Sequence, residues 1–189
     1  MTDKHVPALR IEGYVIVSAD GMLANASNVM PDDLKFEGDK AFFTAALDRA
    51  DLILHGRNSH EDQPNSPRRK RLILTRKVRA IAPDPSNPNA TLWNPTGATF
   101  EAACEQTGIR AGTVAVIGGP TVFGMFMDRY DVFWLSQAPH VRLPDGEPCF
   151  PGVPARSPQE VLASHGLLAG QSQMLDPAAD VTVTPWRRT

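Results

Sequence analysis

Apolar residues fall along this chain in short, unbroken runs. Tyr14-Val15-Ile16-Val17, Leu52-Ile53-Leu54, Leu72-Ile73-Leu74-Thr75, Val114-Ala115-Val116-Ile117 and Val132-Phe133-Trp134-Leu135 are the clearest. Runs this short, apolar at consecutive positions, are what strands buried on both faces of a sheet require. Several stop at turn residues: Ala19-Asp20-Gly21, Gly56 and Gly118-Gly119. Helical spacing lies between them. Phe42, Ala45, Ala46 and Arg49-Ala50 form one stripe, Ala98 to Thr107 ends at the natural helix stop Gly108, and Val122 to Met127 follows the double glycine. Strands alternating with helices predict an α/β fold with a mostly parallel sheet. The last quarter differs. Ser157-Pro158-Gln159-Glu160 is a helix start with Pro158 at the first helical position. Two β-like segments follow, Leu167 to Leu175 and Val181 to Trp186, joined by Asp176-Pro177, and predict a C-terminal antiparallel hairpin.

The length of 189 residues suits one domain spanning 1–189, with residues 1–9 expected to be flexible. Seventeen prolines, about twice the usual share, predict many loops. The densest stretch, Pro83 to Pro95, reads as a Pro/Asn/Ser-rich connection inside the domain. Nineteen basic against 21 acidic residues give a net charge of −2, which disfavours a general nucleic-acid binder. No apolar stretch approaches the roughly 20 residues of a membrane span, so no membrane partner is expected. Met1 to Arg10 is polar, so the cytoplasm is the expected compartment. Cys104 and Cys149 form no CxxC pair, and neither a disulfide framework nor a cysteine-zinc site is expected. His55 and His60 lie five apart, and none of the five histidines sits in HExxH, so no catalytic metal is expected. Without GxSxG an α/β-hydrolase would lack its nucleophile.

Three segments could carry chemistry. In Val116-Ile117-Gly118-Gly119-Pro120-Thr121-Val122-Phe123 a buried strand ends in two glycines and a helix begins. Glycines let a ligand approach the backbone, and a helix start offers free N–H groups to a phosphate; a tight turn with no ligand is the other reading. Leu54-His55-Gly56-Arg57-Asn58-Ser59-His60-Glu61 repeats the logic, with Arg57 beside an expected helix start. Its plainer reading is a surface Arg57 paired with Glu61 four residues on. Arg68, Arg69, Lys70, Arg71, Arg76, Lys77 and Arg79 bracket Leu72 to Thr75. They could be a solvated sheet edge, a nucleic-acid patch lacking stacking aromatics, or one phosphate subsite of a nucleotide beside Thr75 and Arg76. All three segments lie just past the C-terminal ends of predicted strands, where open α/β sheets bind ligands.

These residues resemble a known superfamily. Gly56-Arg57-Asn58-Ser59-His60-Glu61 is similar to the GR-x-(S/T)-x-E element of dihydrofolate reductases, Leu74-Thr75-Arg76 to their LSR or LSS segment, and Ile117-Gly118-Gly119 to their IGG. Ala19-Asp20-Gly21-Met22-Leu23-Ala24 resembles the opening of the reductase domain in bacterial bifunctional riboflavin-biosynthesis deaminase/reductases, and Gly118-Gly119-Pro120-Thr121 resembles its GGPT. Cys149-Phe150-Pro151-Gly152 sits where both groups carry a late Phe-Pro. The resemblance implies a three-layer sandwich and an NADPH-dependent reductase. It assigns Gly56, Arg57, Asn58, Ser59, Ile117, Gly118, Gly119, Pro120, Thr121 and Val122 to the cofactor's phosphate end, Thr75 and Arg76 to the 2′-phosphate, and Ala19 to the nicotinamide.

Dihydrofolate reductases also carry an acid on the first helix after an MPW-LP-x-D/E segment. Met30-Pro31-Asp32-Asp33-Leu34 looks similar, which assigns the acid role to Asp33 and the substrate side to Met30 and Asp20. Ser136 falls where that family has a Thr supporting the acid. Read from the residues alone, Pro-Asp-Asp is equally a helix start or turn. The riboflavin-type reductases carry Glu before Gly-Gly-Pro, where this chain has Ile117, and no deaminase zinc signature is present. The leading expectation is an NADPH-dependent reductase of the riboflavin-pathway type, acting on a 5-amino-6-ribosylaminouracil phosphate. The alternatives are a dihydrofolate or pterin reductase and a catalytically inactive nucleotide-binding domain of the same fold. By resemblance the partners are a small heterocyclic substrate and a second copy of the chain, as a homodimer.

Overall fold

The computed structural model describes residues 8–189 and is built on a ten-stranded mixed sheet. β1 (Leu9–Ser18) leads through Gly21 into β2 (Met22–Ala24), and a 3-10 turn, Asp32–Leu34, precedes α1 (Glu37–Arg49). β3 (Leu52–Gly56) is joined by a loop with a 3-10 turn, Ser66–Arg68, to β4 (Arg71–Leu74). The hairpin β5 (Ile81–Asp84) and β6 (Asn87–Trp93) follows, then α2 (Phe100–Gln106), β7 (Gly112–Val116) and α3 (Pro120–Met125). β8 (Val132–Ala138), the short β9 (Glu147–Pro148), α4 (Pro158–Ser164), β10 (Leu167–Ala169), β11 (Gln173–Asp176) and β12 (Val181–Arg188) complete the order.

Across the sheet the order is β10-β12-β8-β1-β7-β3-β4-β6-β5, with β11 also paired to β12. From β8 to β6 every pairing is parallel, so these strands end along one edge of the sheet. The chain moves from β1 to β3 in one direction and from β6 to β7 to β8 in the other. Right-handed crossovers then put α1 on one face and α2 and α3 on the opposite face. The alternation of side chains divides the core in the same way. Leu54, Leu72, Val114 and Val116 pack with Phe100, Cys104, Phe123 and Phe126 on one side. Ile53, Ala115 and Tyr14 pack with Ala46 and Leu47 of α1 on the other. β7 leaves toward β8 while its neighbours β1 and β3 leave the opposite way. Such a reversal opens a crevice at the C-terminal ends of the strands.

The five apolar runs all lie in central strands, and Gly108 ends α2 with φ +83°. At α4 Ser157 and Glu160 form a reciprocal capping box. Two expectations need correction. Pro83 to Pro95 is mostly the β5–β6 hairpin and not a bare connection. Its prolines sit where no ladder N–H is required: Pro83 on the edge strand, Pro88 before the stretch that pairs with β4 from Ala90 onward. No helix follows Gly56; residues 57–65 run as turn and loop. The C-terminal antiparallel hairpin is present as β11 and β12; the segment from Leu167 to Leu175 contributes two strands, β10 and β11, which pair with opposite ends of β12. Of the stretch expected to be flexible, residues 1–7 lie outside the described residues, and Leu9 already pairs with Gly112. Among the described residues no helix is long and apolar enough to cross a membrane.

Candidate functional site

At the C-terminal end of β7 the Ile117 N–H donates to Leu54 O at 3.0 Å, and the chain then turns through Gly118 and Gly119, joined by a cis peptide bond. Gly118 has φ +115°, a conformation that side chains rarely adopt and glycine adopts freely. Gly119 caps α3, with Pro120 in its first turn and Thr121 exposed beside it. β3 ends alongside. The Gly56 N–H donates to Gly118 O at 2.7 Å, and Gly56 O accepts the Ser59 N–H at 3.1 Å, so Gly56-Arg57-Asn58-Ser59 is a closed turn. A Cβ on Gly119 would lie 3.1 Å from Ser59 Oγ, and one on Gly56 would lie 3.5 Å from Val122 Cγ2. Gly56, Ser59, Gly118, Gly119 and Val122 are therefore brought together from two loops 60 residues apart in sequence. Arg57 and Asn58 project from the turn as exposed side chains.

The basic cluster divides. β4 lies between β3 and β6, so the residues bracketing it do not guard a sheet edge. Arg69 and Arg71 are buried and share Glu61, at 3.1 and 2.6 Å, and Arg69 also reaches Asp48 at 2.6 Å. Glu61 thus faces these two arginines and not Arg57. Burial alone would raise the Glu61 carboxyl; Arg71, the Gln63 N–H and Arg69 outweigh it and hold the group below the usual range. Arg71 also donates to His55 Nε2 at 3.0 Å. His55 is buried, and desolvation pushes its imidazole down to about 4. Arg76, Lys77 and Arg79 stay exposed past the end of β4. Thr75 is buried, with its hydroxyl accepting the Lys77 N–H at 3.1 Å, so its side chain shapes the turn that presents Arg76.

On the other side of the crevice, past β1 and β8, a cleft of about 540 Å³ is bordered by Phe36, Ala138, Val141 and Arg142, with Asp33 at its rim. The exposed Ala19 lies at the end of β1 and donates its N–H to Val141 O at 2.7 Å. Asp20 does not face the cleft freely. It accepts the Ser18 hydroxyl and the Leu143 N–H, the latter at 3.0 Å, and so ties the β1–β2 turn to the loop carrying Val141 and Arg142. Met30 is exposed on the loop before the 3-10 turn. Asp33 is exposed in that turn and does not meet Ser136. The acid that lies beside the buried Ser136 is Asp39, half-buried on the inner face of α1. Burial raises the Asp39 carboxyl above the usual range, with the neighbouring Ser136 hydroxyl opposing in part. Ser136 stands two residues before Ala138 on the same face of β8, and Asp39 one turn after Phe36, so the pair lies beneath the cleft.

No protein-family model matches the chain, and no curated protein matches it by sequence. Solved structures do. A protein ascribed to riboflavin biosynthesis from Shewanella sp. PV-4 superposes with a TM-score of 0.64 at 18% identity, covering 95% of this chain and 99% of that one. The dihydrofolate reductase of Enterococcus faecalis, complexed with NADP(H) and RAB-propyl, gives 0.64 at 14% identity over 95% and 96% of the two chains. This chain has the dihydrofolate reductase fold. A third match is the diaminohydroxyphosphoribosylaminopyrimidine deaminase/5-amino-6-(5-phosphoribosylamino)uracil reductase of Thermotoga maritima, with a TM-score of 0.63 and 16% identity. That alignment takes 98% of this chain but 58% of the longer Thermotoga protein.

Within the dihydrofolate reductase fold the sequence-derived residues form two groups, a glycine group at β3, β4 and β7 and a cleft group at β1 and β8. Sequence reasoning missed Asp39, although its signal was present. Phe36, Asp39, Phe42 and Phe43, Ala46 and Ala50 follow helical spacing, so Asp39 is an acid at a core-facing position of an otherwise apolar stripe. His55 and Arg71 were missed because the strand register, which sequence does not supply, is what aligns them.

Proposed function

We propose that the chain is an NADPH-dependent reductase of a small nitrogen heterocycle. One observation carries the reading: along a single edge of the parallel sheet, a bare-backbone glycine turn lies beside a cleft with a half-buried carboxyl beneath it. The residues fit the cofactor. A Cβ at Gly119 would come within 3.1 Å of Ser59 Oγ, and glycine there lets a phosphate approach the backbone. Arg57, Arg76, Lys77 and Arg79 make no ion pair among the described residues, a local excess of cations in a chain of net charge −2. Such an excess suits the 2′-phosphate that separates NADPH from NADH. In this reading Gly56 to Ser59 and Gly118 to Val122 hold the pyrophosphate, and Arg76, presented by Thr75, meets the 2′-phosphate.

When bound, NADPH supplies a hydride to an electron-poor C=N or C=O bond. The chain holds the substrate against Ala19 in the cleft and excludes water from it. Asp39 supplies the proton: its raised pKa keeps the acid form to a higher pH than a surface aspartate. This role replaces the one expected of Asp33. A riboflavin-pathway ribosylaminopyrimidine remains the first substrate class, supported by Asp20-Gly21-Met22-Leu23-Ala24 and Gly118-Gly119-Pro120-Thr121. One observation favours a dihydropterin instead, the half-buried acid on the first helix beside a strand hydroxyl.

The test is NADPH oxidation followed over a panel of dihydropterins and ribosylaminopyrimidines, beside NADPH and NADH titrations by nicotinamide fluorescence. Turnover with one class and affinity for NADPH at least about tenfold above NADH are expected. Equal affinity for the two cofactors removes the role given to Arg76 and its neighbours. Tight NADPH binding with no turnover on either class would leave a nucleotide-binding domain without catalysis.

A further inference from the structure

Three buried polar side chains have no part in the reduction described above, yet they end on the backbone of the glycine turn. Glu61 accepts from Arg71 Nη2 at 2.6 Å, and Arg71 Nη1 meets His55 Nε2 at 3.0 Å. A guanidinium only donates, so Nε2 is the bare nitrogen and the ring proton resides on Nδ1. From there it donates to Gly56 O at 2.7 Å. The same carbonyl closes the turn by accepting the Ser59 N–H, while the Gly56 N–H reaches Gly118 O. Gly56 is thus the joint between the two loops of the glycine group, and His55 supplies the second hydrogen bond that fixes its carbonyl. His55 is 1% exposed, Arg71 4% and Glu61 9%, in a strand pair whose neighbouring positions are Ile53, Leu54 and Leu72. Packing alone would be met by another aliphatic residue at 55, since burying polar groups costs free energy unless every one is bonded. The network is bonded from end to end, and its terminus is a main-chain atom of the turn.

We propose that His55 is a positioning residue for phosphate binding. It holds the Gly56 carbonyl, and with it the aim of Arg57, Asn58 and Ser59, without touching the ligand, while Arg71 and Glu61 fix its tautomer. The proposal rests on the reading that this turn holds the phosphates of NADPH. Two variants separate positioning from mere stability. His55→Leu removes both bonds. His55→Asn keeps an amide N–H near the place of Nδ1, able to donate to Gly56 O, and loses the acceptor for Arg71. Both variants are expected to lower the thermal midpoint. His55→Leu is expected to weaken NADPH binding by about tenfold, with faster hydrogen exchange at the Ser59 amide; His55→Asn is expected to keep both within about threefold of wild type. Affinity would then follow donation to Gly56 O and not stability. Two variants that bind NADPH equally, whether weakly or as well as wild type, overturn this role alone. A wild-type protein that does not bind NADPH overturns the cofactor reading and this role with it.

Discussion

A single carboxyl on α1 concentrates most of the chemistry proposed for this molecule. Asp39 is half-buried, faces Ser136 and has its pKa raised by desolvation, whereas Asp33, six residues earlier, is exposed in a 3-10 turn. The two differ in which side of the chain each projects from, not in chemistry. An acid with a raised pKa donates its proton below that pKa and loses the ability above it. The rate of reduction is therefore expected to fall as pH rises through the shifted value, with Asp39→Asn slower by about 10²-fold or more and without that titration. Steady-state rates across neutral pH check this. An Asp39→Asn enzyme with wild-type rate and profile would remove Asp39 from the chemistry. Fold stability should hold or rise in this variant, because the folded state no longer buries a charge. Asp39 was legible as an acid in an apolar stripe. Its partner was legible only by resemblance, since no spacing in sequence links position 39 to 136.

The β3–β4 connection shows how an element can differ from its expected form while keeping its ends in place. A helix was expected after Gly56; the chain instead runs as a loop anchored by Glu61, which turns inward to Arg69 and Arg71. All three side chains are buried, so the pairs sit in a weakly screened environment, unlike the exposed Lys35–Asp32 pair. Removing one partner of a buried pair leaves an uncompensated charge. Glu61→Gln is expected to cost about 3 kcal/mol in urea unfolding, and the exposed Asp32→Asn far less. Equal costs would mean that the Glu61 cluster is solvated. The sequence marked the basic cluster but not its division. Which cations are buried depends on β4 lying inside the sheet, and the reading of a solvated edge assumed that it lay outside.

For the whole molecule, buried titratable groups set how stability answers to pH. The His55 imidazole titrates near 4 in the folded protein and near 6.5 in an unfolded chain. Between those values the unfolded state binds more protons. The stability contributed by neutral His55 is therefore complete above about pH 6.5 and is lost as pH falls toward 4, by about 3 kcal/mol. The carboxyl of Glu61, held low by its arginines, adds a second loss below the ordinary carboxylate range, while Asp39, with its raised pKa, acts in the opposite direction. Urea unfolding at pH 7, 6, 5 and 4 should show the decline for wild type. In His55→Asn the decline between pH 6.5 and 4 should be largely absent. A wild-type curve flat over that range would place His55 in a wetter site than the structure gives it.

Local pattern was enough to locate the central strands, three of the helix regions, the start of α4 and the glycine turns. Each of these follows from neighbouring residues: apolar runs, 3.6-residue spacing, a capping box, a glycine where φ is positive. Even the edge hairpin was hidden only by its prolines, which are tolerated at an edge and not inside a sheet. Strand order and register belong to the tertiary structure alone, because they join segments that no local spacing connects. They set Gly56 against Gly118, Arg71 against His55, and Ser136 beneath the first helix. Local sequence thus placed the glycine turns, and long-range packing determined which carboxylates and cations are buried beside them.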